Sequence, residues 1–320
     1  METNMDYRDD AACSRRFDQL VCWTGVLSIA ACMTVSAIGE PAVVYFSTEQ
    51  SFTAAAGPHA GQLISHGDLL STAGVVIARN GDLIRNFGPM PVVPDFGLDG
   101  IYLRASGEML FSLEDGFFDE VLATQVRHGD LLSDSGAILQ TNAQLLRNYG
   151  PMPAPDPDYG LDAIHEPDPQ QIWFSVEDGF FDESQNMQVG HGDLLSDAGN
   201  IVKTNAELVL NFSPMPVPDP DYGLDAVHPI SGAEIWFSVE GGFFDEVLGI
   251  PVGAGDLLST DGRIVQRNAE LLAGFFGGAV QVPADYGLDA VWVIPEPLSL
   301  VVMATLLPAL WKQKMRPLVE

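Results

Sequence analysis

Residues 224–246 read LDAVHPISGAEIWFSVEGGFFDE. Leu224 to Pro229 is a short extended run, Ser231-Gly232 is a turn, and in the run from Glu234 to Glu240 Ile235, Phe237 and Val239 alternate with Trp236, Ser238 and Glu240. Alternation with period two sends one set of side chains to a buried face and the other outward, so this stretch predicts an antiparallel hairpin. Outward from it, a Gly-Phe-Phe-Asp-Glu loop leads to GDLLS (Gly255–Ser259), then to a turn at Asp261-Gly262 and to RIVQ (Arg263–Gln266). Four short strands joined by turns are the content of one blade of a β-propeller.

The same grammar occurs four times. FS[TLV]E starts at Phe46, Phe111, Phe174 and Phe237; [HA]GDLLS starts at His66, His128, His191 and Ala254; [YF]GLD[AG] starts at Phe96, Tyr159, Tyr222 and Tyr286. Successive copies lie 62 to 65 residues apart. Gly74, Gly136, Gly199 and Gly262 hold the position where a tight hairpin demands positive φ. Asn80, Asn142, Asn205 and Asn268 are placed to cap short helical turns such as NAELL.

The two ends of the array decide between a closed ring and an open stack. The first copy begins at Ala42-Val43-Val44-Tyr45-Phe46 with no LDA strand before it, and the last ends at Tyr286–Val293 with an LDA strand and nothing after it. The orphan strand fits the vacancy, and pairing there would remove two sheet edges. An open solenoid would need atypical capping units at both ends. The expected fold is therefore all-β: four repeats of about 63 residues forming a four-bladed β-propeller closed by its C-terminal strand, with short helical turns between strands and hydrophobic helices at both termini.

Composition limits the partners. The chain has 320 residues, a formal charge of −30 and 47 % hydrophobic residues, enough for a substantial core. Residues 38–295 carry 37 acidic side chains against 8 basic ones, which argues against nucleic acid as a partner. Cys13, Cys22 and Cys32 are the only cysteines, so the repeats have no disulfide available.

The termini look like addresses. Arg15 and Arg16, the apolar run from Leu20 to Ala31 and the small residues Val35-Ser36-Ala37 have the order of a secretory signal peptide over residues 1–37, implying the Sec translocon and signal peptidase as partners. Ser14-Arg15-Arg16-Phe17 weakly resembles a twin-arginine signal, and Ile29-Ala30-Ala31-Cys32 a lipoprotein box. Residues 38–294 form the repeat domain. In residues 295–320, Pro295-Glu296-Pro297 precedes LSLVVMATLLPALW (Leu298–Trp311) and then Lys312, Lys314 and Arg316. Fourteen apolar residues are short for a stable span, and the basic end would sit in the cytoplasm. This tail resembles the PEP-CTERM sorting signal of Gram-negative bacteria. The resemblance implies that Pro295, Glu296 and Pro297 are recognised by an exosortase, that the precursor is anchored in the inner membrane by its C-terminal helix before release to the cell surface or medium, and that extracellular polysaccharide is a candidate partner. The repeats look similar to those of other PEP-CTERM proteins of undefined function.

No serine nucleophile elbow, Walker loop, dinucleotide fingerprint or Cys/His zinc pattern is present. The best site candidates are Asp156, Asp158 and Asp162 with Asp219, Asp221 and Asp225: three carboxylates within seven residues around a glycine, hard oxygen donors suited to calcium. The alternative is that they are solvated turn residues. His66, His128 and His191 read as strand-entry residues, and His165 and His228 as surface or turn positions. The phenylalanine pairs Phe117/Phe118, Phe180/Phe181 and Phe243/Phe244 read as core plugs or as a sugar-stacking surface. The function expected is that of an exported, non-catalytic structural or interaction protein; the alternatives are a calcium-dependent glycan- or protein-binding module, and a hydrolase or lyase with inward-facing acids that differ between blades.

Overall fold

The computed structural model describes residues 43–92, 95–153, 158–215 and 221–294. The leader, the sorting motif Pro295-Glu296-Pro297 with its tail, Asp156 and Asp219 lie outside these residues. Among the described residues no helix is long and apolar enough to cross a membrane.

The chain is mostly β, as its alternating pattern predicts. Four antiparallel sheets of four strands recur, one per repeat. The last contains Val227–Pro229, Ile235–Phe237, Leu257–Ser259 and Arg263–Gln266 in that order. The second starts with Ile101–Leu103 and the third with Ile164–Asp168. In the first sheet the leading place is taken by Val291–Ile294 from the far end of the domain, which pairs antiparallel with Val43–Phe46 in the register Val44 to Val293 and Phe46 to Val291. The orphan strand thus occupies the vacancy.

The four leading strands also touch in a cycle: Ile101–Leu103 packs against Ile164–Asp168, that strand against Val227–Pro229, that against Val291–Ile294, and Val291–Ile294 back against Ile101–Leu103. Each apolar core lies between successive sheets. Leu69 and Ala78 of the first sheet pack with Phe111 of the second, and Trp236 and Leu257 of the last pack with Val44 and Phe46 of the first. Phe46, Phe111, Phe174 and Phe237 are fully buried, and each contributes about 1.5–3 kcal/mol by burial.

Three details differ from the expectation. The Phe-Phe-Asp segments are strands, Phe117–Asp119, Phe180–Asp182 and Phe243–Asp245, in small outer sheets. Phe117, Phe180 and Phe243 enter the core, while Phe118, Phe181 and Phe244 are 40 to 46 % exposed, because adjacent strand residues face opposite ways. The Leu-Asp-Ala segments precede the inner strands as irregular backbone. The asparagines are first helical residues, not caps: Thr141 and Thr204 cap the helical turns, each hydroxyl accepting from a backbone N–H three residues on. The asparagine amides instead tie each turn to the Leu-Asp approach, donating to the carbonyls of Gly97, Gly160, Gly223 and Gly287 at 3.0 to 3.4 Å.

Candidate functional site: a ring of eight carboxylates

Two repeat markers, distant in sequence within each unit, deliver one acid each to the same cavity. The Asp of Gly-Leu-Asp enters just before the inner strand, and the Glu of Phe-Ser-x-Glu leaves just after the second strand. They meet as pairs because the glycine two residues before each aspartate has no side chain. At Gly97, Gly160, Gly223 and Gly287 a Cβ would lie 2.2 to 2.6 Å from the side chains of Glu114, Glu177, Glu240 and Glu49. These four glycines also have φ near +73°, a left-handed conformation that disfavours L side chains.

The four pairs line one cavity of about 370 Å³: Glu49, Asp99, Glu114, Asp162, Glu177, Asp225, Glu240 and Asp289. Buried serines join the units around it. Ser47 Oγ donates to the carbonyl of Leu98 at 2.8 Å, Ser112 Oγ to that of Asp162 at 3.5 Å, Ser175 Oγ to that of Leu224 at 2.6 Å and Ser238 Oγ to that of Leu288 at 2.7 Å. Every serine reaches the Leu-Asp segment of the next repeat, and the last reaches the C-terminal segment that completes the first sheet.

The aspartates form the deep tier. Asp99, Asp162, Asp225 and Asp289 are only 5 to 8 % exposed, and in each of them Oδ2 is buried without a hydrogen-bond partner. Burial, reinforced by neighbouring carboxylates, holds all four well above the usual aspartate range. A buried carboxylate oxygen with no donor is costly, and four in one cavity pose an unmet demand for positive charge.

The glutamates form the rim, and three of the four are held by histidine. His66 Nδ1 lies 2.9 Å from Glu114, His128 Nδ1 3.1 Å from Glu177 and His191 Nδ1 3.2 Å from Glu240. Their Nε2 atoms face Asp95, Asp158 and Asp221 at 3.3 to 3.6 Å. The hydrogen bonds to glutamate raise all three histidines, His191 to about 8. Ala254 takes the fourth histidine's place, so Glu49 lacks this clamp. Burial and then Asp285, Glu240 and Glu114 raise Glu49 to about 7.

Three residues beyond the aspartates, the four leading strands bring together one aromatic or imidazole ring each: Tyr102, His165, His228 and Trp292. Ring centroids are 5.3 Å apart for Tyr102 and His165, 6.2 Å for His165 and His228, 4.8 Å for His228 and Trp292, and 4.8 Å for Trp292 and Tyr102. His165 and His228 are therefore not surface turn residues. Burial lowers them to about 4 and about 3, so both are neutral at pH 7.

The sequence-predicted calcium loops are taken apart by this arrangement. Asp162 and Asp225 belong to the ring, but Asp158 and Asp221 turn away and accept from the backbone N–H of Gly160 and Gly223 at 3.3 and 3.2 Å. They act as turn acids, as Asp95 and Asp285 do toward Gly97 and Gly287. One loop therefore supplies one ring carboxylate, and the remaining donors come from other repeats. Asp99, Asp289 and the four glutamates stand outside the six aspartates favoured as ligands from the sequence, although the acidic loops opening at Glu114 and Glu177 are the next candidates there; their signal is the fourfold recurrence of both acids in fixed register. Compared with models of known protein families and with curated proteins, the sequence matches neither.

Proposed function

We propose that this chain is an exported, non-catalytic structural protein whose repeat domain is a four-bladed β-propeller held around a hard divalent cation, calcium in preference to magnesium. The observation that carries this is the ring of eight carboxylates with four buried, unpartnered Oδ2 atoms. Calcium accepts six to eight oxygens at 2.3–2.6 Å in flexible geometry, whereas magnesium demands a tight octahedron and keeps its waters. A wide cavity lined by carboxylates suits the first. Because every repeat contributes two carboxylates to the cavity, cation binding there would draw on all four units. The cyclic contacts of the inner strands and the pairing of Val291–Ile294 with Val43–Phe46 support the propeller. A structural role fits the repetition: the same Asp–Glu pair recurs in register in all four units, as scaffold features do.

The test is thermal unfolding of the full-length protein in detergent. Millimolar Ca²⁺ should raise the melting temperature over chelator by far more than Mg²⁺ at equal ionic strength. At a hundredfold excess over Kd the gain is about 2.7 kcal/mol. The Asp162→Asn/Asp225→Asn variant should lose the Ca²⁺-specific rise while folding normally in chelator, since Asn has the shape of a protonated Asp. Equal rises with both ions would reduce the effect to screening of the acidic body.

The export route rests on the terminal segments. Replacing Pro295, Glu296 and Pro297 with alanine should leave export intact and block removal of the tail. Mass spectrometry showing the same mature C-terminus in both forms would refute the sorting role. The exposed Phe118, Phe181 and Phe244 support a second reading, a calcium-dependent glycan-binding module, which a glycan array probed with and without Ca²⁺ would separate from a purely structural one.

A further inference from the structure

The eight carboxylates are not evenly disposed. Oxygens of Asp99, Asp162 and Glu177 lie within 4.8 Å of one another, and so do oxygens of Glu49, Asp225 and Asp289. The spacing matches an ion between them, because ligands across a Ca²⁺ are separated by at most about 4.6–5.2 Å. The two groups share no residue. Each consists of aspartates from two consecutive repeats and the glutamate paired with the second, so a shift of two repeats converts one group into the other. Glu114 and Glu240 are related by the same shift. A chance excursion of one side chain would not recur on the opposite side of the cavity. Each group contains two of the buried aspartates whose Oδ2 lacks a partner.

We propose that the cavity takes two divalent cations side by side, one held by Asp99, Asp162 and Glu177 and the other by Glu49, Asp225 and Asp289. This rests on the cation-site reading above and specifies its stoichiometry. A single divalent ion would offset two of the eight carboxylate charges; two ions offset four. Space permits both, since 370 Å³ is about twelve times the 30 Å³ that one water occupies in the liquid. Paired metal ions about 3.5–4 Å apart occur in protein sites where carboxylates separate them. Glu114 and Glu240 lie between the groups in ring order and can complete either shell. Each ion would bridge two neighbouring repeats: the second and third in one case, the fourth and first in the other. The second ion would thus fasten the seam where the chain ends meet.

Equilibrium dialysis of the full-length protein in detergent against ⁴⁵Ca²⁺, after chelator treatment, measures the number directly. Two ions per chain are expected. Asp99→Asn/Asp162→Asn and, separately, Asp225→Asn/Asp289→Asn should each retain one. Circular dichroism in chelator identifies variants that fold as the parent does. Single substitutions Glu177→Gln and Glu49→Gln, each expected to weaken one of two binding steps, replace any double variant that fails to fold. One ion per chain in the parent, or loss of both ions on altering either half alone, would overturn the paired site while leaving a cation site standing. No bound Ca²⁺ at all would overturn both.

Discussion

Deleting Tyr286–Ile294 should abolish cooperative unfolding of the repeat domain. The segment is nine residues at the end of the array, yet it supplies much of what joins first repeat to last. Val291 and Val293 are buried in the core shared by those repeats, and Val291–Ile294 supplies the ladder to Val43–Phe46. Leu288 is fully buried and its carbonyl is the acceptor for Ser238. Tyr286 packs 5.2 Å from Phe52, Gly287 gives Glu49 its place, and Asp289 is a ring carboxylate. Loss of three buried aliphatic side chains alone removes about 4.5–9 kcal/mol at 1.5–3 kcal/mol each, comparable with the whole stability of a typical domain at about 5–15 kcal/mol. Circular dichroism should show a broad, non-cooperative melt and size-exclusion chromatography should show aggregation through the exposed edge. An unchanged melt would make the strand peripheral and count against ring closure.

The second large effect is an inverted pH dependence in chelator. A carboxyl whose folded pKa is raised holds a proton that the unfolded chain has released. Its stabilisation is full below the unfolded pKa and is lost as pH rises through the folded one. Asp99, Asp162, Asp225 and Asp289 are all of this kind, and so is Glu49 at about 7. His165 and His228, lowered to about 4 and about 3, act oppositely, but only below the unfolded value of 6.5, where the unfolded chain takes up protons that they refuse. From roughly pH 6.5 to 8.5 stability in chelator should therefore fall, by about 1.4 kcal/mol per pH unit for each proton still held by a buried aspartate. Calcium should flatten this slope, since ligands to the ion carry no proton. His66, His128 and His191 are also raised, and leave a shallow fall in both conditions. Urea titrations across this range, with and without Ca²⁺, measure both slopes. Stability that climbs with pH in chelator would mean that the ring is ionised without any ion.

The fold was legible wherever local periodicity and turn chemistry agreed. Ile235, Phe237 and Val239 face one core as their alternation requires, but Trp236 and Ser238, expected to point outward, are buried too because the next repeat covers the other face of the strand; Gly74, Gly136, Gly199 and Gly262 do have positive φ. The vacancy at the first repeat announced the place of Val291–Ile294 because a strand lacking one partner and a partner lacking one strand are both visible in the text of the chain. The Phe-Phe-Asp strands were read as loops because three residues are too few to display a period.

The ring was hidden for a different reason. Adjacency in sequence groups Asp156 and Asp158 with Asp162, and Asp219 and Asp221 with Asp225, within single loops. A cyclic array collects ligands by equivalence instead, and acids recurring in register, which look like scaffold along the chain, converge once the repeats are placed around an axis. His165 and His228 were misplaced for the same reason. Only two repeats have histidine there, but Tyr102 and Trp292 fill the same place, and what recurs is a planar ring.

The serine bonds carry a consequence for biogenesis. Ser47 leans on Leu98, Ser112 on Asp162, Ser175 on Leu224, and Ser238 on Leu288, so each repeat is finished only by the one that follows, and the first only by the last. Such a chain gains little from folding piecemeal: contacts between its extremities wait on the full length, which slows folding. Were the chain exported through a narrow pore, as proposed above, that delay would keep the polypeptide threadable until its final strand had crossed. A prematurely terminated copy would never lock and would stay open to proteolysis.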